Sequence, residues 1–193
     1  MLSLSEYLSI HTEIVGELKN TESINGLIEC IWSLSKDKSS IIFTAGNGGS
    51  ASTAEHFSAD LGQMEKRTGH AIRSICLNSQ IALSSAFAND FNFQSVMSQQ
   101  LSSYKDSNFI FVAFSASGNS ENILKAIEIT LAYGKEAFCF VGFDGGKVIK
   151  NNKIKTIHFV DTRNDYGVAE NLHLLTSHYI VDRLIEKFTE NSK

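Results

Sequence analysis

The chain has 193 residues, of which 42% are hydrophobic and 20% are charged, proportions typical of a soluble globular domain. Its formal net charge of −4 creates no basic surface field, so nucleic acid is not an expected partner. The longest apolar run, residues 109–114, is too short to span a membrane, and the first residues lack the pattern of a secretory signal. Three scattered cysteines in apolar contexts (Cys30, Cys76 and Cys139) fit buried thiols, and together these features predict a cytoplasmic protein.

Two helical patterns precede the first strand. Apolar residues recur at helical spacing from Tyr7 to Leu18, which predicts an amphipathic first helix. Thr21 is positioned to cap a second helix, whose apolar face comprises Ile24, Leu27, Ile28 and Ile31. Because these helices have no strand partner of their own, they either cover the sheet or pack against another subunit.

From Ser40 onwards, short apolar runs alternate with helical patterns. The predicted strands are Ile41–Thr44, Ile72–Leu77, Phe109–Phe114, Ala137–Val141 and Thr156–Val160. The predicted helices are Ala51–Leu61, Ser79–Ala88, Phe93–Ser103, Ser120–Ala132 and Val168–Phe188. Such strands are typical of a parallel sheet buried on both faces, so we predict a single α/β domain over residues 1–193, a three-layer αβα sandwich with residues 1–36 as a helical lead-in. Ligands of such sheets bind beyond the carboxyl ends of the strands.

The first loop with chemical content lies between a predicted strand and a predicted helix. It reads Gly46-Asn47-Gly48-Gly49-Ser50, and its glycines allow a sharp turn and a close approach to a ligand. The following helix presents unpaired N–H groups that suit an anion. One turn further in, His56 and Asp60 share a helix face, as an acid–base pair or a metal-binding pair would.

A second loop of the same kind follows the third predicted strand. It reads Ser115-Ala116-Ser117-Gly118-Asn119-Ser120 and opens the next predicted helix. One such turn is often plain helix capping, but two turns at the same sheet edge indicate a phosphate site. Neither loop matches a nucleotide-binding fingerprint, so the sequence points to a small phosphorylated molecule.

Two further segments carry candidate site residues. Asn89 and Asp90 lie between two helical patterns, where turn formation is the alternative interpretation. Glu170 and His178 lie on the last predicted helix, about 12 Å apart along its axis. They could share a metal only if it sat midway or if they met across subunits. His173, on the same helix, fits a structural histidine better than a ligand.

In this order, these motifs resemble the SIS (sugar isomerase) domain family, and within it the phosphoheptose isomerases. The resemblance covers nearly the whole chain and implies a flavodoxin-like five-stranded fold. It implies a homotetramer with active sites between subunits. It also implies conversion of sedoheptulose 7-phosphate to D-glycero-D-manno-heptose 7-phosphate, for lipopolysaccharide or capsule synthesis.

The resemblance also implies site residues. The substrate-binding positions are Asn47, Gly48, Gly49, Ser50, Asn89, Asp90, Ser115, Ala116, Ser117 and Ser120. The zinc-binding positions are His56, Asp60, Glu170 and His178. The base for isomerisation would be Asp60 or Glu170, and His178 would be the acid. Zinc would polarise the sugar carbonyl.

Four positions depart from the family pattern. Asp60 replaces a glutamate, Glu170 a glutamine, Met64 an arginine and Ala116 a threonine. Two alternative functions remain at this level. One is a non-catalytic SIS protein that senses a phosphosugar or binds a replication initiator, and the other is an isomerase of a different sugar phosphate.

Overall fold

The computed structural model describes residues 2–16 and 21–190, and within them five parallel strands form one sheet. The strands are β1 (Ile41–Ala45), β2 (Ser74–Cys76), β3 (Phe109–Ser115), β4 (Glu136–Val141) and β5 (Lys155–His158). Their spatial order is β2-β1-β3-β4-β5, which is the flavodoxin-like order. The strand order reverses between β1 and β3, so a ligand is expected at the carboxyl ends of these two strands.

Helices cover both faces of the sheet, which confirms the predicted three-layer α/β fold. They are α1 (Leu4–Gly16), α2 (Glu22–Leu34), α3 (Gly49–Gly62), α4 (Met64–Thr68), α5 (Ile81–Asp90), α6 (Val96–Ser102), α7 (Glu121–Ala132) and α8 (Tyr166–Glu190). Helices α2, α3 and α8 pack on one face, and α6 and α7 pack on the other. Among the described residues, no helix combines the length and the apolarity that a membrane crossing needs.

Side chains that alternate along the strands contribute to two apolar cores, one on each face of the sheet. On β3, Ile110, Val112 and Phe114 point to the α3–α8 face, whereas Phe109 and Phe111 point to the α6–α7 face. The central strand β3 therefore reads as a nearly unbroken apolar run, because every one of its side chains is buried on one face or the other.

The strand ends differ from the sequence prediction. Only residues 74–76 of β2 pair with β1, although the predicted strand ran from Ile72 to Leu77, both of which are buried. The next residues, Leu77–Ser79, form a 3₁₀ turn. The fifth strand likewise ends at His158 rather than Val160. Leu77 and Phe159 are buried although each follows the last residue of its strand, so the apolar run overstates the length of the strand, whereas Val160 is exposed.

Three helical segments also differ from the prediction. Helix α5 ends at Asp90, so Asn89 and Asp90 lie in its last turn rather than in a loop. The helix predicted over 93–103 is divided into a 3₁₀ turn, Phe93–Ser95, and α6. The short helix α4 was not predicted, because it continues α3 after only one intervening residue.

The lead-in helices are present, and they are buried to different degrees. The predicted apolar face of α2 is buried against the core. In α1 only Ile14 is buried, while Leu8 and Val15 are exposed. Thr21 precedes α2 but makes no capping hydrogen bond with its side chain. Leu18, the end of the predicted first helix, lies outside the described residues.

Candidate active site

The first loop joins β1 to α3 at the carboxyl edge of the sheet. Helix α3 begins at Gly49, and its first turn carries no acidic side chain of its own. The carboxylate of Glu170, from α8, lies directly against this helix start. A Cβ atom on residue 49 would lie 2.0 Å from Oε2 of Glu170, so any larger residue there would displace the carboxylate from this position.

The Glu170 carboxylate is half-buried and faces the loop. Within residues 2–16 and 21–190 it has no hydrogen-bond or ion-pair partner from the protein. It therefore places a negative charge without an ion-pair partner near the positive end of α3, where the helix dipole favours it.

The second loop joins β3 to α7 beside the first. The Ser115 hydroxyl donates to the Ser120 hydroxyl at 3.5 Å. Gly118 has a φ of 61°, and a Cβ there would lie 2.2 Å from the carbonyl oxygen of Gly145. The segment after β4 thus presses on the loop, and the Lys147 N–H donates to the Gly118 carbonyl at 3.1 Å. This contact and this hydrogen bond hold the backbone of the loop that carries the serine hydroxyls.

The two loops enclose a pocket of about 320 Å³. It is lined by Asn47, Gly48, Ser50, Phe114, Ser115, Ala116, Ser117, Ser120, Tyr166 and Glu170. This volume is at the lower end of the range for small-molecule sites. The structure thus brings most of the predicted substrate-binding residues together at one place.

A second group of polar side chains lies further along α3 and α8. Nε2 of His56 lies 3.4 Å from Oδ2 of Asp60 and 3.0 Å from Nε2 of His178. His178 Nε2 lies 4.0 Å from the same Asp60 oxygen. The other Asp60 oxygen, Oδ1, lies 3.5 Å from Nη2 of Arg67, a residue that the sequence analysis did not identify.

The donor set of this group suits a metal ion. The ligand atoms of His56, Asp60 and His178 lie within 4.8 Å of one another. Two imidazoles and one carboxylate are a common protein ligand set for zinc, with a fourth position left for water or substrate. The three side chains therefore fit a zinc-type ion, and the protein around them would need little rearrangement to hold it.

Glu170, the fourth predicted metal ligand, is not part of this group. Helices α3 and α8 run side by side in the same direction, with Glu170 against Gly49 and His178 against His56. Eight residues of helix separate Glu170 from His178, or about 12 Å. The structure thus separates a carboxylate at the pocket from an imidazole–carboxylate group two turns away.

Asn89 and Asp90 are not among the residues lining the pocket. Both are exposed at the end of α5, and Nδ2 of Asn89 donates to Oδ1 of Asp90 at 3.1 Å.

Met64, in place of the family arginine, is fully buried in the core. Arg67, three residues later, places its guanidinium next to the Asp60 carboxylate. The sequence did not indicate this contact, because the helix that carries Arg67, α4, was not predicted.

Below the pocket, His173 is a core residue, as expected. Its ring is fully buried and packs against the rings of Phe114, Phe140 and Phe159 at centroid distances of 5.7 to 6.2 Å. Neither ring nitrogen has a hydrogen-bond partner of normal geometry in the described protein. Burial lowers the pKa of His173 from 6.5 to about 4, although the nearby backbone of Val141 opposes the shift.

Residues 6–136 match the SIS domain family. The chain belongs to the SIS domain family, and its five-stranded parallel sheet is the fold of solved members. It is 34% identical to the phosphoheptose isomerase of Helicobacter hepaticus, over 78% of this chain and 75% of the relative. It is 30% identical to the phosphoheptose isomerase of Helicobacter pylori, over 89% of this chain and 85% of the relative. Its place within the family is among the phosphoheptose isomerases, as the sequence motifs indicated.

Solved structures agree on the fold. The phosphoheptose isomerase GmhA from Neisseria gonorrhoeae superposes with a TM-score of 0.82 at 22% identity, covering 94% of this chain and 97% of that one. A phosphoheptose isomerase from Francisella tularensis gives a TM-score of 0.80 at 21% identity, covering 96% and 100%. The helical lead-in is therefore part of the shared architecture.

Proposed function

We propose that the chain is an aldose–ketose isomerase that converts sedoheptulose 7-phosphate to D-glycero-D-manno-heptose 7-phosphate. The observation that carries the proposal is a serine-lined pocket between the β1–α3 and β3–α7 loops, with a histidine–aspartate group two turns further along α3 and α8. The product would supply heptose for a surface polysaccharide, lipopolysaccharide or capsule. The curated relatives support this reaction and do not favour a non-catalytic binding protein.

The phosphate group is assigned to the pocket. The hydroxyls of Ser115, Ser117 and Ser120 and the N–H groups at the start of α3 are the donors that a phosphate needs. Glu170 lies at this end, where its charge opposes an anion. We therefore assign Glu170 to orienting the sugar near the phosphate rather than to removing a proton.

The proton transfer is assigned to the histidine–aspartate group. Isomerisation moves a proton between C1 and C2 through an enediolate, so the base and the acid have to be neighbours. Asp60 and His178 are neighbours, and a carboxylate and an imidazole suit the two roles. The Arg67 guanidinium holds the Asp60 carboxylate from the other side. Asp60 is therefore the base in this proposal, and His178 the acid.

A divalent metal, zinc in the first instance, is proposed as the cofactor. His56, Asp60 and His178 would each offer one ligand atom to it, and Glu170 would not, so the second polar atom of the Asp60 and His178 side chains would carry the proton transfer. Bound there, zinc would supply Lewis-acid polarisation of the sugar carbonyl. The orientation of the substrate between the pocket and this group still comes from the protein side chains.

We also propose a homotetramer in the cytoplasm, with one SIS domain per chain. Two apolar surfaces support subunit contacts. Helix α1 exposes Leu4, Leu8 and Val15. Helix α5 has no buried residue, and the apolar side chains exposed on and around it are Ile81, Leu83, Phe91 and Phe93. Exposed apolar patches of this kind commonly mark association sites, and a monomeric mass by light scattering would contradict the assembly.

The proposed cytoplasmic location is supported by the cysteines. The three cysteines are free thiols, which fits a reducing compartment.

The decisive experiment is a product analysis by NMR. Zinc-loaded protein is incubated with sedoheptulose 7-phosphate and, separately, with a panel of other ketose phosphates. We expect conversion of the heptulose phosphate, loss of turnover in Asp60→Asn, and normal turnover in Asp106→Asn, an exposed carboxylate before β3 at the opposite edge of the sheet. Conversion of a different ketose phosphate alone would reassign the substrate, and no conversion of any would refute the isomerase proposal.

A further inference from the structure

A pair of asparagine side chains joins the two loops of the pocket. Nδ2 of Asn47 donates to Oδ1 of Asn122 at 2.9 Å, and Nδ2 of Asn122 donates back to Oδ1 of Asn47 at 2.8 Å. Asn47 belongs to the first loop, and Asn122 lies in the first turn of α7, directly after the second loop. The closed amide pair thus ties the two loops to each other.

A further hydrogen bond fixes the orientation of the Asn122 amide, and through it that of the pair. Oδ1 of Asn122 also accepts the backbone N–H of Ile123 at 3.0 Å, so its amide cannot be reversed without losing that bond. The Asn122 side chain is 2% exposed, which makes any lost hydrogen bond there costly. Asn47 keeps one N–H donor and one lone pair for a ligand, and both are held in fixed directions.

A third asparagine holds the first loop from the opposite side. The backbone N–H of Gly46 donates to Oδ1 of Asn78 at 3.0 Å, and Nδ2 of Asn78 donates to the Gly46 carbonyl at 2.9 Å. Asn78 follows β2, on the other side of β1 from β3 and α7. The first loop is therefore clamped by side-chain amides from both neighbouring strand ends.

We propose that Asn122 is a positioning residue of the active site, acting through Asn47, and that Asn78 supports the same loop from the other side. Asn122 does not line the pocket, so it has no direct route to the ligand. It holds Asn47 and the start of α3 in a fixed position relative to the serine hydroxyls of the second loop. This inference rests on the proposed function, because the loops it aligns are the proposed phosphosugar-binding loops.

The test is a double-mutant cycle between Asn47 and Asn122 with sedoheptulose 7-phosphate as substrate. We expect Asn122→Ala and Asn47→Ala each to lower kcat/KM by about tenfold or more, because small misplacements of binding groups are costly. The double variant should be no worse than Asn47→Ala within about twofold, since Asn122 acts through Asn47. Asn108→Ala removes an exposed amide at the opposite sheet edge and serves as the control.

A second variant separates positioning from stability. Asn122→Asp keeps the volume but replaces the N–H donor to Oδ1 of Asn47 with an oxygen, so it should lose activity as Asn122→Ala does without leaving a cavity. Thermal unfolding of each variant shows that the protein is folded at the assay temperature. Additive effects in the double variant, or parental kcat/KM in Asn122→Ala, would overturn the inference.

The inference remains testable if the parent protein fails to isomerise any sugar phosphate. Calorimetric titration with inorganic phosphate then replaces the kinetic readout. Weaker phosphate binding in Asn122→Ala, with no further loss in the double variant, would support the alignment of the loops although the isomerase proposal had failed. Phosphate affinity equal to that of the parent would overturn the inference by itself.

Discussion

Lowering the pH from about 7.5 to about 4.5 is expected to destabilise the fold through His173. The folded protein holds this imidazole neutral among three phenylalanine rings, with a pKa of about 4 instead of 6.5. Between these two values the unfolded chain binds a proton that the folded protein does not bind. The stabilising contribution is therefore complete above about pH 6.5 and is lost as the pH falls towards 4.

The size of this effect follows from the two pKa values. The difference between 6.5 and about 4 corresponds to about 3 kcal/mol in the free energy of unfolding. Most of this loss is reached at about pH 4.5, because the folded protein is still largely unprotonated at His173 there. A typical domain has only about 5–15 kcal/mol of stability, so the change is large enough to measure.

The assay is urea unfolding of the parent and His173→Leu at several pH values and one protein concentration. At about pH 7.5 the leucine variant should be at least as stable, because it removes two buried nitrogens without partners. At about pH 4.5 it should exceed the parent by about 3 kcal/mol. His70→Leu makes the same change at an exposed site as a control. Equal pH dependence in parent and His173→Leu would refute the reasoning.

Three further predictions concern the site. Ser115→Ala combined with Ser117→Ala should weaken phosphosugar binding by roughly 1–3 kcal/mol in calorimetry, while exposed Ser102→Ala leaves it unchanged; unchanged affinity in the double variant would remove the phosphate assignment. His178→Ala should lose both bound zinc, measured by metal analysis, and turnover, while its circular dichroism stays parental; full zinc occupancy would exclude it as a ligand. Glu170→Gln should tighten phosphate binding by about tenfold, because it removes a like charge from the pocket; weaker binding would show that the carboxylate assists the ligand.

The sheet could be predicted from the sequence because its strands carry an unmistakable pattern. Strands buried on both faces are unbroken apolar runs, such as Phe109–Ser115, and helical spacing fills the gaps between them. The ends of β2 and β5 could not be predicted, because apolar burial continues beyond backbone pairing. The last turn of α5 was missed because Asn89 and Asp90 are ordinary turn formers.

The residues of the site could be predicted from the sequence more readily than their positions relative to one another. Glycine and serine at strand ends identify both loops locally. The separation of Glu170 from His178 depends on which turns of α3 and α8 lie together, and that register is set by packing between distant segments. The Asn47–Asn122 bonds join residues 75 positions apart, and neither residue carries a local signal for the contact.

The parallel pairing of α3 and α8 has a consequence for substrate length. Seven residues of α3 separate Gly49 from His56, a rise of about 10 Å. A ligand held by its phosphate in the serine pocket has to be extended and long to place its carbonyl beside Asp60 and His178. An open seven-carbon chain meets that demand better than a shorter ketose phosphate, or one closed into a ring, whose carbonyl would lie further from the acid–base pair. Such molecules should therefore bind in the pocket and be converted more slowly in the NMR assay.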